Sequence, residues 1–339
     1  MTIPQETHHL NTSHPAIHHI TNDIIQVQLP LPFALRIVNV YLIQDGGGWA
    51  VVDTGLHTPD GEAAWRAAFD ALAIRPGDLT RIIVTHHHPD HYGMAGWLPL
   101  WNGVDIPIAT MPRELMLIQQ TWWREGGQRE DFEALMAHAG ITPQLQIGFF
   151  EIGVEIRNHT RPHPAHIDTL HDGDLLHIGR RRLRVIEAPG HSIGQALLYD
   201  EADALLLCAD HVLMRITPNI GLWPSSDADP LARFIESLTA LRGLEVRLAL
   251  PGHKALIHDW RGRIDELLHH HEERLDLIRG AAHGASAFEV AQAIFPFDHF
   301  SPHEQRFAIA EALAHLEHLQ LAGALRRDND DGVWMYSQA

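Results

Sequence analysis

The chain has 339 residues, 45% of them hydrophobic and 20% charged, which fits a folded globular protein and excludes a disordered one. Its formal net charge of -18 disfavours a polyanionic partner, so nucleic acid is not expected. No stretch approaches the ~18 apolar residues a membrane span requires.

The length leaves room for one large α/β domain with appended parts. Several of the 28 histidines crowd the start (His8, His9, His14, His18, His19), and residues 1–20 read as a flexible polar arm. That start lacks the basic and apolar runs of a secretory leader, so a cytoplasmic location is expected. The single cysteine, Cys208, excludes an intramolecular disulfide.

Alternation predicts strands over 24–29 and 38–43, and a hairpin turn at Asp45–Gly48 leads to a third strand over 49–52. Thr58-Pro59-Asp60 opens a helix running to Ala73. A short buried strand, 81–85, runs directly into His86-His87-His88-Pro89-Asp90-His91, and Tyr92-Gly93 leads into a helix. Residues 112–170 break the strand-helix rhythm. Helices are expected over 113–124 and 131–139, rich in Leu115, Met116, Leu117, Ile118, Trp122 and Trp123. Strands resume at 183–186, 196–199 and 204–208. A helix over 230–241, a strand over 247–250 and a long helix over 264–279 follow. From about Ser286 the pattern becomes helix (287–295), helix (302–321) and hairpin (324–326 with 333–336), the order of a winged-helix module.

Alternate residues of a strand end share a face, so His86 and His88 point together while His87 points away. Asp90 and His91 follow in the turn. Three further segments place His191, Asp210 and His253 just beyond apolar strands, where α/β folds put their sites. Imidazole and carboxylate suit zinc, iron or manganese. Cys208 reads as a buried core thiol, and His211 as lying outside the ligand set.

This pattern, with Val52-Asp53-Thr54-Gly55, resembles the metallo-β-lactamase superfamily over roughly residues 20–258. The resemblance implies an α/β fold, a four-layer αββα sandwich, over residues 21–280. It carries a helical insertion or lid at 112–170 and a winged-helix-like module at 281–339. It implies two divalent metal ions, with zinc the default and iron or manganese alternatives. His86, His88 and His191 would hold one, Asp90, His91 and His253 the other, and Asp210 both. Asp53 would fix the ligand loop by hydrogen bonds. It further implies hydrolysis of an ester, thioester or lactone of a small molecule by a metal-bridging hydroxide that Asp90 orients.

A phosphodiesterase or endoribonuclease is the alternative, supported by a basic stripe of Arg180, Arg181, Arg182 and Arg184. A β-lactamase or a non-enzymatic effector ranks below both. Residues that would meet substrate are Tyr92, Trp122, Trp123, Arg215 and Lys254. The insertion's Trp122, Trp123, Met116, Phe149 and Phe150 form either a lid over the site or a homodimer contact. The second helix of the last module (His303, Glu304, Gln305, Glu311, His315, Glu317, His318) is not a basic recognition face, so packing or dimerisation is expected of it.

Overall fold

A computed structural model describes residues 15–75 and 77–339. His8, His9 and His14 lie outside them. Within the expected flexible arm, Ile17–His19 forms a strand, because its backbone pairs antiparallel with Ile24–Pro30 (Ile17 opposite Val27).

Two sheets make the body of the molecule. The first has seven strands, in the order Ile17–His19, Ile24–Pro30, Ile37–Asp45, Gly48–Val52, Leu79–Ile83, Ile108–Thr110 and Asp168–Thr169. The second has five, in the order Leu248–Pro251, Leu205–Ala209, Ala196–Asp200, Arg181–Glu187 and Leu175–Ile178. Period-two alternation decides which side chains go where. Tyr41, Ile43, Ala50 and Val52 of the first sheet meet Val185, Leu198, Leu205 and Leu207 of the second in one buried layer. Their neighbours Val40, Leu42 and Val51 face the other way, onto Trp65 and Phe69 of the helix Pro59–Leu72. Likewise Leu206 and Cys208 turn outward, onto Phe234 and Leu238 of the helix Pro230–Leu241 and Ile264 and Leu267 of the helix Trp260–Ala281. The layers are therefore helix, sheet, sheet, helix, and strands apolar on both faces require that arrangement.

The insertion holds more helix than expected. Pro112–Ile118 is α-helical and continues as a π-helical turn, Gln119–Trp123. Arg129–His138 is the expected helix, and Pro143–Asn158 is an unexpected one. Apolar residues spread around its whole circumference, and Gly148 and Gly153 interrupt it, so no single face shows a helical period. Its Phe149 packs with Met136, Ala139 and Ile141 into one core with Val290, Ala291, Leu313 and Tyr336 of the C-terminal segment.

That segment contains the expected helices, Ala287–Ile294 and Pro302–Leu321, and the hairpin Leu325–Asp330 with Val333–Gln338. A short strand, Ala285–Ser286, adds to the hairpin's edge. The polar residues of Pro302–Leu321 face inward as well as outward. His315 is buried beside His271 (3.2 Å), and buried Glu317 accepts from the Tyr336 hydroxyl and Arg327. Among the described residues no helix is long and apolar enough to cross a membrane.

Three of the four arginines of the basic stripe have structural partners, while Arg182 is exposed. Buried Arg181 makes a two-pronged ion pair with Asp23 (2.7 and 2.8 Å) and reaches Asp200 (2.7 Å) and Asp203 (3.1 Å). Arg180 also pairs with Asp23, and Arg184 lies over the Tyr199 ring. The sequence-level argument for a ribonuclease thus loses these cations. Replacing Arg181 by Ala leaves buried Asp200 without its cation and buried Asp23 with Arg180 alone. Urea unfolding should show a loss of about 3–5 kcal/mol.

Burial pushes His271 down to about 2 and His315 down to about 3, further lowered by neighbouring positive groups. In the unfolded chain both protonate near pH 6.5. Their contribution to stability is therefore full above about pH 6.5 and is lost as pH falls below it, because only the unfolded state takes up the protons. Urea midpoints measured from pH 7.5 down to about 4.5 should fall more steeply for the native chain than for His271→Leu.

Candidate metal centre

Every proposed ligand sits at the C-terminal end of a strand or in the turn after it. His86 and His88 follow Leu79–Ile83, and Pro89 starts a single helical turn, Pro89–Tyr92, that swings Asp90 and His91 back toward them. His191 follows Arg181–Glu187, Asp210 follows Leu205–Ala209, and His253 follows Leu248–Pro251. Both sheets deliver these ends to one edge of the sandwich.

Potential ligand atoms of His86, His88 and His191 lie within 4.8 Å of one another. So do those of Asp90, His91 and His253, and those of His86, His91 and Asp210. Asp210 Oδ2 stands between the groups, at 3.4 Å from His91 Nε2, 3.7 Å from His191 Nε2 and 3.3 Å from His253 Nε2. Asp90 Oδ2 lies 3.2 Å from His253 Nε2.

The outer nitrogens are already engaged. His91 Nδ1 lies 2.7 Å from Asp53 Oδ2, His191 Nδ1 donates to Asn219 O, and His253 Nδ1 donates to Ile37 O. Holding a proton on Nδ1 leaves the Nε2 lone pair facing inward. His88 presents Nδ1 instead, 3.0 Å from His86 Nε2. The fit to cations is visible in what is left over: Nε2 of His91, His191 and His253 and Oδ1 of Asp210 are buried without hydrogen-bond partners. Buried polar atoms are rarely abandoned, and converging lone pairs are what a cation satisfies. Burial, then neighbouring imidazoles, lowers the pKa of His86 and His88, and burial lowers that of His191. Burial also acts on His91 and His253, but the carboxylates of Asp210 and Asp90 outweigh it, raising both and taking His253 to about 10.

The surrounding frame is specific. Asp53 takes a left-handed backbone (φ 64°), and its carboxylate also accepts from Thr85 N and the Thr85 hydroxyl, tying the turn after Gly48–Val52 to the ligand strand. Asn39 and Tyr41 of the first sheet both donate to Pro251 O, clamping the His253 turn across the layers. A Cβ on Gly252 would stand 2.3 Å from Asp210 Oδ1, so only glycine lets the strand pass there.

Glu114 is a residue the sequence did not single out. Fully buried, it accepts from His87 N (2.8 Å), Ser192 Oγ (2.5 Å) and Gly194 N (2.8 Å), and lies 3.0 Å from His87 Nδ1. Burial alone would raise its carboxyl, but these bonds, led by His87, hold it below the ordinary value. It joins the insertion's first helix to the turns on either side of the metal ligands. His87 thus has a structural partner, while buried His211 meets Ser237 and Cys208 is buried in the core.

A cavity of about 610 Å³ opens onto the ligands His88, Asp90, His191, Asp210 and His253. Trp122 lines it, as expected, and its indole donates to His87 O. Phe149 and Phe150 line it too, whereas Met116 is exposed. Four expected substrate contacts are corrected. Tyr92 is buried beneath the ligand loop, where its hydroxyl accepts from Trp123 and meets His163, so neither Tyr92 nor Trp123 borders the cavity. Arg215 sits exposed on a left-handed turn and, unlike Leu213 and Ile216, is not among the lining residues. Lys254 likewise follows His253 in a left-handed turn and is not part of the wall; its carbonyl accepts from Asn39. The C-terminal segment, expected only to pack or dimerise, contributes His303, Arg306 and Phe307 to the wall.

A profile of the metallo-beta-lactamase superfamily matches residues 34–253, and one of the metallo-beta-lactamase-like C-terminal domain matches residues 275–339. The chain is 24% identical over 311 residues to the probable metallo-hydrolase YqjP of Bacillus subtilis, covering 90% of this chain and 94% of that one. Its fold matches the crystal structure of the metallo-beta-lactamase family protein TTHA1429 from Thermus thermophilus at a TM-score of 0.85 and 32% identity, over 94% of this chain and 99% of that one. A beta-lactamase domain protein from Burkholderia ambifaria matches at a TM-score of 0.84 and 30% identity, over 95% of this chain and 94% of that one. With the four-layer fold and the converging His and Asp side chains, these matches establish that the chain belongs to the metallo-beta-lactamase superfamily.

Proposed function

We propose that the chain is a dinuclear metal-dependent hydrolase acting on an ester, thioester or lactone. The observation that carries this reading is the convergence of seven ligand residues, several with unpartnered buried atoms, at the floor of a largely apolar cavity. The relative named a probable metallo-hydrolase supports the general class.

His86, His88 and His191 would hold one divalent cation, Asp90, His91 and His253 the second, and Asp210 would face both. Zinc is the default for this donor set, and iron or manganese also suit it. When bound, such cations lower the pKa of a water nucleophile and polarise the electrophile's oxygen. The protein's own part is to hold and orient. Asp53, Asn219 and Ile37 lock the imidazole tautomers. Asp90, whose carboxylate reaches the cavity, is placed to orient the nucleophile and take up its proton. Trp122, Phe149 and Phe307 exclude bulk water and give an acyl chain an apolar wall.

Metal analysis of the purified chain by mass spectrometry should give two ions per polypeptide. Asp210→Ala should lower turnover by at least about a hundredfold while far-UV circular dichroism is unchanged. At most one tightly bound ion, or near-normal turnover in that variant at full metal content, would refute the two-ion site.

Trp122→Ala should raise KM by about tenfold for esters with a long or aromatic acyl group, and much less for acetyl esters. Equal effects on both would remove Trp122 from the substrate wall.

A further inference from the structure

The C-terminal segment brings to the cavity an arginine that has no ion-pair partner among the described residues. Arg306 lies in the second turn of the helix Pro302–Leu321 and lines the cavity with Phe307 and Trp223. Its guanidinium stacks over those two rings, at 5.3 and 5.6 Å from their centroids. Its Nε is buried and has no hydrogen-bond partner, and among the described residues no carboxylate forms an ion pair with it. Its one polar contact is with His303 Nδ1, at 3.5 Å. Burial pushes that imidazole down to about 4, with Arg306 itself the next cause, and an imidazole in either protonation state supplies no negative counter-charge.

The carboxylates around the cavity are all committed elsewhere. Asp227 pairs with Arg113, Glu304 closes the capping box on Ser301, and Asp90 and Asp210 belong to the ligand cluster. Desolvation without an anion lowers the Arg306 guanidinium to about 10. The same wall holds a second arginine, Arg157, whose Nε is also buried without a partner. In a chain with 43 acidic and 25 basic residues, leaving cations unpaired in an apolar cavity is costly and needs a reason. His303 and Arg306 line the same cavity as Asp90, His191 and Asp210, so this turn and the ligand cluster face one space.

We propose that Arg306 receives an oxyanion of the substrate, so that the compound hydrolysed carries a carboxylate or phosphate on an apolar body. Planar, two-pronged hydrogen bonding to such a group is what a guanidinium offers and a lysine does not. The word substrate here rests on the hydrolase reading, but binding can be tested without turnover.

Calorimetric titration of the metal-loaded full chain with phenylacetate, phenylacetamide and benzyl phosphate supplies the test. The wild type should bind at least one of the two anions at least about tenfold more tightly than the neutral amide, and the tighter one identifies the anion. Arg306→Gln should abolish the preference, and Arg306→Lys should restore part of it. Equal binding of all three compounds by the wild type, or an undiminished preference in Arg306→Gln, would overturn the proposal; the latter would place the anion on the metal ligands. The melting temperature of Arg306→Met should be no lower than that of the wild type, since a half-buried charge with no ion-pair partner among the described residues is removed. A marked fall would make Arg306 a structural residue and overturn the proposal. In turnover, the ratio of kcat/KM for phenyl hydrogen succinate to that for phenyl butyrate should drop at least about tenfold in Arg306→Gln. Absence of hydrolysis of both esters by the wild type would count against the hydrolase reading alone, and the titrations would still decide the role of Arg306.

Discussion

One buried carboxylate sets the terms for the rest of the molecule. Asp210 Oδ2 faces three imidazole nitrogens from three different segments at 3.3–3.7 Å, and its other oxygen has no hydrogen-bond partner. Gathering so many lone pairs and charges out of water is unfavourable unless something positive joins them. The fold accepts that cost by making each ligand stand on a rigid strand end. It spends further polar groups, Asp53, Asn39 and Tyr41, to hold the turns in place. Gly252 is required for the same reason, since its missing side chain is what lets the His253 turn approach Asp210.

The substrate side is built differently. Glu114 anchors the insertion to the turns that carry His87 and Ser192, so the insertion begins at a fixed distance from the metal ligands. Farther along, its helices share a core with the C-terminal segment, through Met136, Ala139 and Phe149 against Ala291, Leu313 and Tyr336. The two segments brace each other, and the cavity lies where they meet the catalytic edge. A C-terminal addition with the element order of a nucleic-acid module is in this chain part of the wall. Its polar residues His315 and Glu317 are turned into its own packing.

This arrangement separates chemistry from choice. The candidate metal ligands come wholly from residues 86–253, whereas the rest of the cavity wall draws on the insertion and residues 301–307 together with residues 32–35 and 213–230. Walls can change size and charge without disturbing the strand ends, because the apolar layer between the sheets is independent of them.

The sequence by itself determined the layers and the ligands. Strand alternation such as Leu205, Leu207 inward against Leu206, Cys208 outward is written in residue order. A His or Asp directly after each such strand is equally local, so the edge at which they meet is legible in the sequence. Asp53 was expected from the family resemblance of Val52-Asp53-Thr54-Gly55, and its bonds to His91 and Thr85 appear only in the fold. Only the tertiary structure decided which large side chains line the cavity. Trp122 and Trp123 are neighbours, yet a π-helical turn sends one to the cavity and the other to the Tyr92 hydroxyl. Glu114, Arg157 and Arg306 look like ordinary charges on ordinary helices. What makes Glu114 a tether is the set of donors around it, and what makes Arg306 notable is the absence of a carboxylate partner among the described residues. Satisfaction of a buried polar group depends on partners distant in sequence, and no local pattern records them.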